Sequence, residues 1–164
     1  MTTEKCPFCG IQTEAIDGPV HRYLVSTPGC WRKYGEILAR EYEDIRFFKC
    51  HDLTVDAYAL QHPGVEGYQT INSSNIHLTS LYAYFVMKTD LSELSRIKQS
   101  VAKRKKDFFL LEPPHDMKEL NIGCLNTNVS PEAYCFNVEA WARFVFLKWE
   151  EHHKVAGLHL KKMG

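Results

Sequence analysis

The chain has 164 residues, of which 45% are hydrophobic and 12% aromatic, enough to bury one compact core. Twenty basic residues balance twenty acidic ones, so no global field draws in nucleic acid or an anionic membrane, and neither is expected as a partner. The opening MTTEKCPFCG has no apolar secretory run, and no window approaches the ~18 apolar residues of a membrane span, which places the expected protein in the cytoplasm.

The expectation is a mainly α, single-domain fold over residues 1–164, with a metal-knuckle segment (1–30) packed on a helical body (31–164). Residues 1–26 are rich in Gly, Pro, Asp and Thr and lack sustained apolar periodicity, apart from room for a short ribbon around the first two cysteines. A first helix starts at Thr27-Pro28, a capping hydroxyl followed by proline at the first helical position. Trp31, Tyr34, Leu38 and Tyr42 continue it. A second runs through HDLTVDAYALQHPG with a stripe of His51, Val55, Tyr58 and His62, closed by Pro63 and Gly64. The loop VEGYQTINSS leads to a third, capped near Asn72 or Ser73, whose face carries Ile76, Leu81, Tyr84 and Phe85. A fourth, capped by Asp90, runs to Leu111 before Glu112-Pro113-Pro114. Its basic run, Lys103 to Lys106, reads as a solvated helix end. The chain is then loop to about residue 130, and Pro131 opens a last helix with Val138, Trp141, Val145, Trp149 and His152 on one face. These make about five helices, and Trp141 and Trp149 read as core in preference to an interface stripe.

Cys6-Pro7-Phe8-Cys9-Gly10 has the spacing at which two thiolates grip one ion while a small residue lets backbone amides turn toward sulfur. A redox CxxC is the rival reading, but it needs a preceding strand and a following helix. Five residues before Cys6 and the segment GIQTEAIDGP supply neither. Tetrahedral Zn²⁺ needs two more donors, and the nearest are His21 and Cys30, with His51 as the substitute. Cys30 falls in the first turn of a helix, where free amides favour a thiolate. Such a knot would order a segment that has no core of its own. Cys50, Cys124 and Cys135 have no partner at motif spacing and read as buried or half-buried thiols.

Five more histidine positions, His51, His62, His77, His152 and His153, fall in or beside helices. His51 and His62 share a face but lie roughly 16 Å apart along a continuous helix, too far for one ion. A pocket between helices built from Asp56, His62, His77 and His152 is therefore the candidate catalytic group, holding a second metal or an acid/base pair. Tyr58, Gln61, Tyr68 and Gln69 could add polar contacts. No G-x-S-x-G, Gly-rich phosphate loop or H-E-x-x-H occurs.

Taken in order, CPFCG, DGPVHRYLVSTPGCW, HDLTVDAYALQHPG, IHLTSL, LEPP and WARFVFLKWEEHH resemble a mostly bacterial family of small proteins of unknown function. The resemblance spans residues 6 to 153. It implies a single domain and marks Cys6, Cys9, His21, Cys30, His51, Asp56, His62, His77, His152 and His153 as motif positions without giving them roles. Cys50-His51-Asp52 departs from the family pattern, which has a basic residue after the histidine. The expected function is a zinc-binding helical module with a structural knot, holding a protein or small-molecule partner. The alternative is a metal-dependent hydrolase or transferase working from the histidine pocket.

Overall fold

The computed structural model describes residues 1–65 and 67–164; Glu66, inside the predicted loop 65–74, lies outside the described residues. The chain opens with a two-stranded antiparallel ribbon, β1 (Thr3–Lys5) and β2 (Gln12–Glu14), paired Thr3 to Glu14 and Lys5 to Gln12. Among the described residues seven α-helices follow: α1 (Pro28–Glu43), α2 (Ile45–Phe48), α3 (His51–Gln61), α4 (Tyr68–Phe85), α5 (Leu94–Ala102), α6 (Pro131–Lys148) and α7 (His153–Lys161). The fold is mainly α, as expected, with two more helices than the sequence predicts.

The extra helices arise where a periodic pattern hides a break. Asp44 is extended and its carboxylate accepts from the Arg46 amide at 2.9 Å, so it ends α1 and caps the short α2. At the other end the predicted long helix stops at Lys148. His153 Nε2 donates to the Phe146 carbonyl at 2.8 Å and its ring stacks on Phe146 at 3.9 Å, turning the chain into α7. The fourth predicted helix is shorter than expected. It ends at Ala102, and after a 3₁₀ turn at Lys105–Asp107 the chain extends so that Leu111 enters the core. The third begins at Tyr68, earlier than the expected cap at Asn72 or Ser73.

Helix α3 sits at the centre. Leu53, Thr54 and every residue from Asp56 to Gln61 are buried, because α1, α4 and α6 all pack against it. A helix covered on several faces has no single apolar stripe, and its polar side chains must be satisfied inside. Gln61 does this with three bonds: its Nε2 donates to the carbonyls of Met117 (2.6 Å) and Leu120 (2.7 Å), and its Oε1 accepts from Trp141 Nε1 (2.9 Å). Trp149 Nε1 donates to the Leu60 carbonyl at 3.1 Å. Both tryptophans are fully buried and belong to the core. Glu41, also fully buried, accepts from Thr54 Oγ1 (2.5 Å), Tyr134 Oη (2.7 Å) and His51 Nδ1 (2.7 Å), which ties α1 to α3 and α6. Among the described residues, no helix is long and apolar enough to cross a membrane.

Candidate metal centre

The ribbon, α1 and α3 converge on one point. Between the strands the chain turns at CPFCG, with the Gly10 amide donating to the Cys6 carbonyl (3.0 Å) and the Cys6 amide to the Ile11 carbonyl (2.9 Å). Gly10 holds φ +76°, a left-handed conformation that a side chain at this position would strain. Asn121 Nδ2 reaches the Cys9 carbonyl at 3.1 Å and anchors the turn to the long loop before α6. Thr27 Oγ1 accepts from the Cys30 amide at 3.2 Å, fixing Cys30 in the first turn of α1 beneath Pro28.

The fourth donor comes from the end of α3. His62 is the C-cap residue, and the close approach of two backbones places it. The Val25 amide donates to the His62 carbonyl at 3.3 Å, and a Cβ on Gly64 would lie only 1.9 Å from the Tyr23 carbonyl oxygen. His62 Nδ1 donates to the Tyr58 carbonyl at 2.8 Å, which sets the tautomer and leaves the Nε2 lone pair free. That Nε2 lies 3.4 Å from Cys30 Sγ, and Cys9 Sγ lies 3.7 Å from Cys30 Sγ.

All four donor atoms of Cys6, Cys9, Cys30 and His62 fall within 4.8 Å of one another, and all four residues are fully buried. A tetrahedral zinc, with bonds of about 2.3 Å to sulfur and about 2.05 Å to nitrogen, sets its donors about 3.5 to 3.8 Å apart. The group could therefore hold a metal ion with little movement. Among the described residues it is the one cluster of three or more such side chains.

The electrostatics point the same way. Three buried sulfurs ionise against one another. Hydrogen bonds from Cys30 and then Cys9 hold the Cys6 thiol far below its ordinary range, while pairing with Cys30 pushes Cys9 far up. Cys30 rises to about 12, chiefly through Cys6. Only a cation at the centre lets all three become thiolates together. Tyr58 lies against the site, its hydroxyl 3.4 Å from Cys30 Sγ and its ring stacked between Tyr34 (3.9 Å) and His62 (4.0 Å). Burial first, and then the charge of Cys30, push its phenol up, so it stays a donor toward sulfur.

The structure thus brings together Cys6, Cys9 and Cys30, three of the four residues expected from sequence, and the fourth side chain of the group is His62. His21 lies outside the cluster. Its Nδ1 accepts from the amides of Tyr23 and Leu24, both at 3.2 Å, so its proton sits on Nε2, and burial followed by Arg22 lowers its pKa. The substitute, His51, is bound to Glu41 through Nδ1 and faces Tyr42 Oη at 3.4 Å through Nε2.

The predicted histidine pocket is dispersed. His62 is in the cysteine cluster, and His152 Nε2 donates to the Glu112 carbonyl at 2.9 Å. Asp56 and His77 do meet. Asp56, fully buried, accepts from His77 Nδ1 (2.7 Å), Ser80 Oγ (2.5 Å) and Lys98 Nζ (3.0 Å), and Lys98 also pairs with Asp52 at 2.7 Å. Burial raises the Asp56 carboxyl, but Lys98 and His77 outweigh it and the net shift is downward. Of the predicted pocket contacts, Tyr58 and Gln61 are buried, and Tyr68 and Gln69 lie at the exposed start of α4.

No curated protein and no solved structure matches this chain. A family model described as a family of unknown function (DUF5946) matches residues 4–150, a span that holds all four clustered donors together with Asp56 and His77. The chain belongs to that family.

Proposed function

We propose that the protein binds one zinc ion through Cys6, Cys9, Cys30 and His62, that this metal is structural, and that the body it organises works as a binding module. The observation that carries the reading is the convergence of four buried protein donors on one point. Four donors fill a tetrahedral zinc and leave no position for water or substrate, the pattern of a structural site. Three sulfurs and one imidazole favour zinc over the harder Mg²⁺ and Ca²⁺.

A groove of about 930 Å³ between α2, α3, α4 and α6 supports the binding role. Ile45, Phe48, Phe85 and Leu91 give it an apolar lining, and its charged rim mixes Lys49, Lys88 and Arg143 with Asp52, Asp90 and Glu139. That chemistry suits a small amphipathic ligand, for which a medium-chain fatty acid is a first probe. Elemental analysis of untagged protein tests the metal reading: one zinc per chain is expected, lost in Cys9→Ser and in His62→Ala and retained in His21→Ala. Metal lost with His21 and kept without His62 would refute the ligand set. For the groove, shifts of the α2 and α4 amides on titration with medium-chain fatty acids are expected, and their absence would remove that part of the reading.

A second reading has its own observation. A buried carboxylate orients His77 through Nδ1 while Nε2 has no protein partner among the described residues, the arrangement of a general base. Hydrolysis of activated esters that is lost in His77→Gln would support it.

A further inference from the structure

We infer that Cys50 and Cys135 form a reversible disulfide in response to hydroperoxides, a thiol switch separate from the metal centre. The two residues are 85 positions apart in sequence, yet their sulfurs lie 2.6 Å apart. Cys50 is the N-cap residue of α3 and Cys135 the fifth residue of α6, and these two helices pack against each other. Helix packing thus holds the sulfurs in bonding reach without any rearrangement of the loops.

The partners are unequal in a way that assigns the order of events. Cys50 is buried, 1% exposed, and its Sγ points to the Phe47 carbonyl at 3.3 Å. Cys135 is half-buried and open to a small reagent. Pairing with Cys50, with a further contribution from nearby Lys49, lowers the Cys135 thiol, whereas pairing with Cys135 and burial raise Cys50. Cys135 is therefore the more accessible and the more readily ionised of the two sulfurs, and Cys50 holds its proton more firmly.

In the first step the Cys135 thiolate attacks one oxygen of the hydroperoxide. The O–O bond breaks, two electrons pass from sulfur to the peroxide, and the departing oxyanion takes up a proton and leaves as water or alcohol. Cys135 is now a sulfenic acid. Cys50 sulfur then attacks Cys135 sulfur, the S–O bond breaks, and the hydroxyl leaves as water with the Cys50 proton. One hydroperoxide is reduced and one disulfide forms, and a small dithiol reverses it by exchange.

The test uses the full-length zinc-loaded protein, hydrogen peroxide and peptide mapping with a parallel zinc assay. The expected product is a Cys50–Cys135 cross-link, formed with zinc retained, cleaved by dithiothreitol, and appearing ~10-fold faster than oxidation of Cys124, a half-buried thiol that desolvation pushes up to about 11. In Cys50→Ser, Cys135 should accumulate as a sulfenic acid that dimedone traps, and Cys135→Ser should give neither adduct nor cross-link. Oxidation of wild-type Cys135 straight to sulfinic acid, or cross-links confined to Cys6, Cys9 and Cys30 with loss of zinc, would overturn the inference. The wild-type map decides the matter even if a variant folds poorly.

Discussion

Replacing Tyr58 with phenylalanine isolates the contribution of one hydroxyl to the metal centre. The substitution removes the donor 3.4 Å from Cys30 Sγ. It keeps the ring stacked on Tyr34 at 3.9 Å and on His62 at 4.0 Å, and it leaves the Tyr58 carbonyl that holds His62 Nδ1. With the proposed zinc bound, the change is a single lost hydrogen bond to the Cys30 sulfur with no new cavity beyond one oxygen. Partners of metal ligands are typically worth ~10- to 100-fold in affinity. A hydroxyl at the long distance normal for sulfur belongs at the lower end, about tenfold or ~1.4 kcal/mol. Competition against a chromophoric zinc chelator measures this directly, with urea unfolding of the zinc-loaded protein as the control for packing. An affinity unchanged within about twofold would show that the phenol only fills space. A large stability loss with unchanged relative affinity would mean that the ring does not stay where the stacking requires.

Three further outcomes follow from other contacts. Gln61→Leu should destabilise by about 3–5 kcal/mol in urea, because it orphans the Met117 and Leu120 carbonyls and the Trp141 indole; adding Trp141→Phe should recover about 1 kcal/mol by removing one orphan. Purely additive losses would break that account. Asp56→Asn should flatten the acid limb of stability. With its folded pKa below the ordinary 3.8, the wild-type carboxylate contributes fully above that value and loses its contribution as pH falls past it, since the unfolded chain takes up the proton first. Parallel acid limbs for the two proteins would contradict this. Gly64→Ala, whose Cβ would sit 1.9 Å from the Tyr23 carbonyl oxygen, should cost about 2–3 kcal/mol and weaken zinc binding by shifting His62; equal zinc affinity would detach the glycine from the site.

The parts of this molecule that sequence revealed are those encoded within a few residues. CPFCG announced its own turn, Thr27-Pro28 its own helix start, and both sit where expected, with Cys30 in the first turn. Pro131 likewise opens α6. The fourth donor was different. His21 is nearer along the chain, and nothing local tells that its Nδ1 is occupied by two backbone amides. A histidine at a helix end before Pro-Gly, four residues after a tyrosine, was the available clue to His62, yet its meaning depends on α3 packing beside α1. Cys50 and Cys135 show the same limit: each lacked a partner at motif spacing because the partner lies on another helix. Breaks at Lys148 and Ala102 were hidden because apolar periodicity continues through them, and the contacts of His153 and Leu111 decide the path.

The order of the donors along the chain has a consequence for biosynthesis. Cys30 precedes His62 by 32 positions, so the three sulfurs leave the ribosome before the imidazole does. At about 5–20 residues per second, the nascent chain would spend roughly 2–6 s offering the proposed zinc three sulfurs and one open coordination position. On the proposed reading an ion held by the sulfurs in that interval can exchange with soluble thiols, and emergence of α3 with His62 ends the exchange. If the proposed zinc is bound, its retention would report that α3 has docked beside α1 and the ribbon.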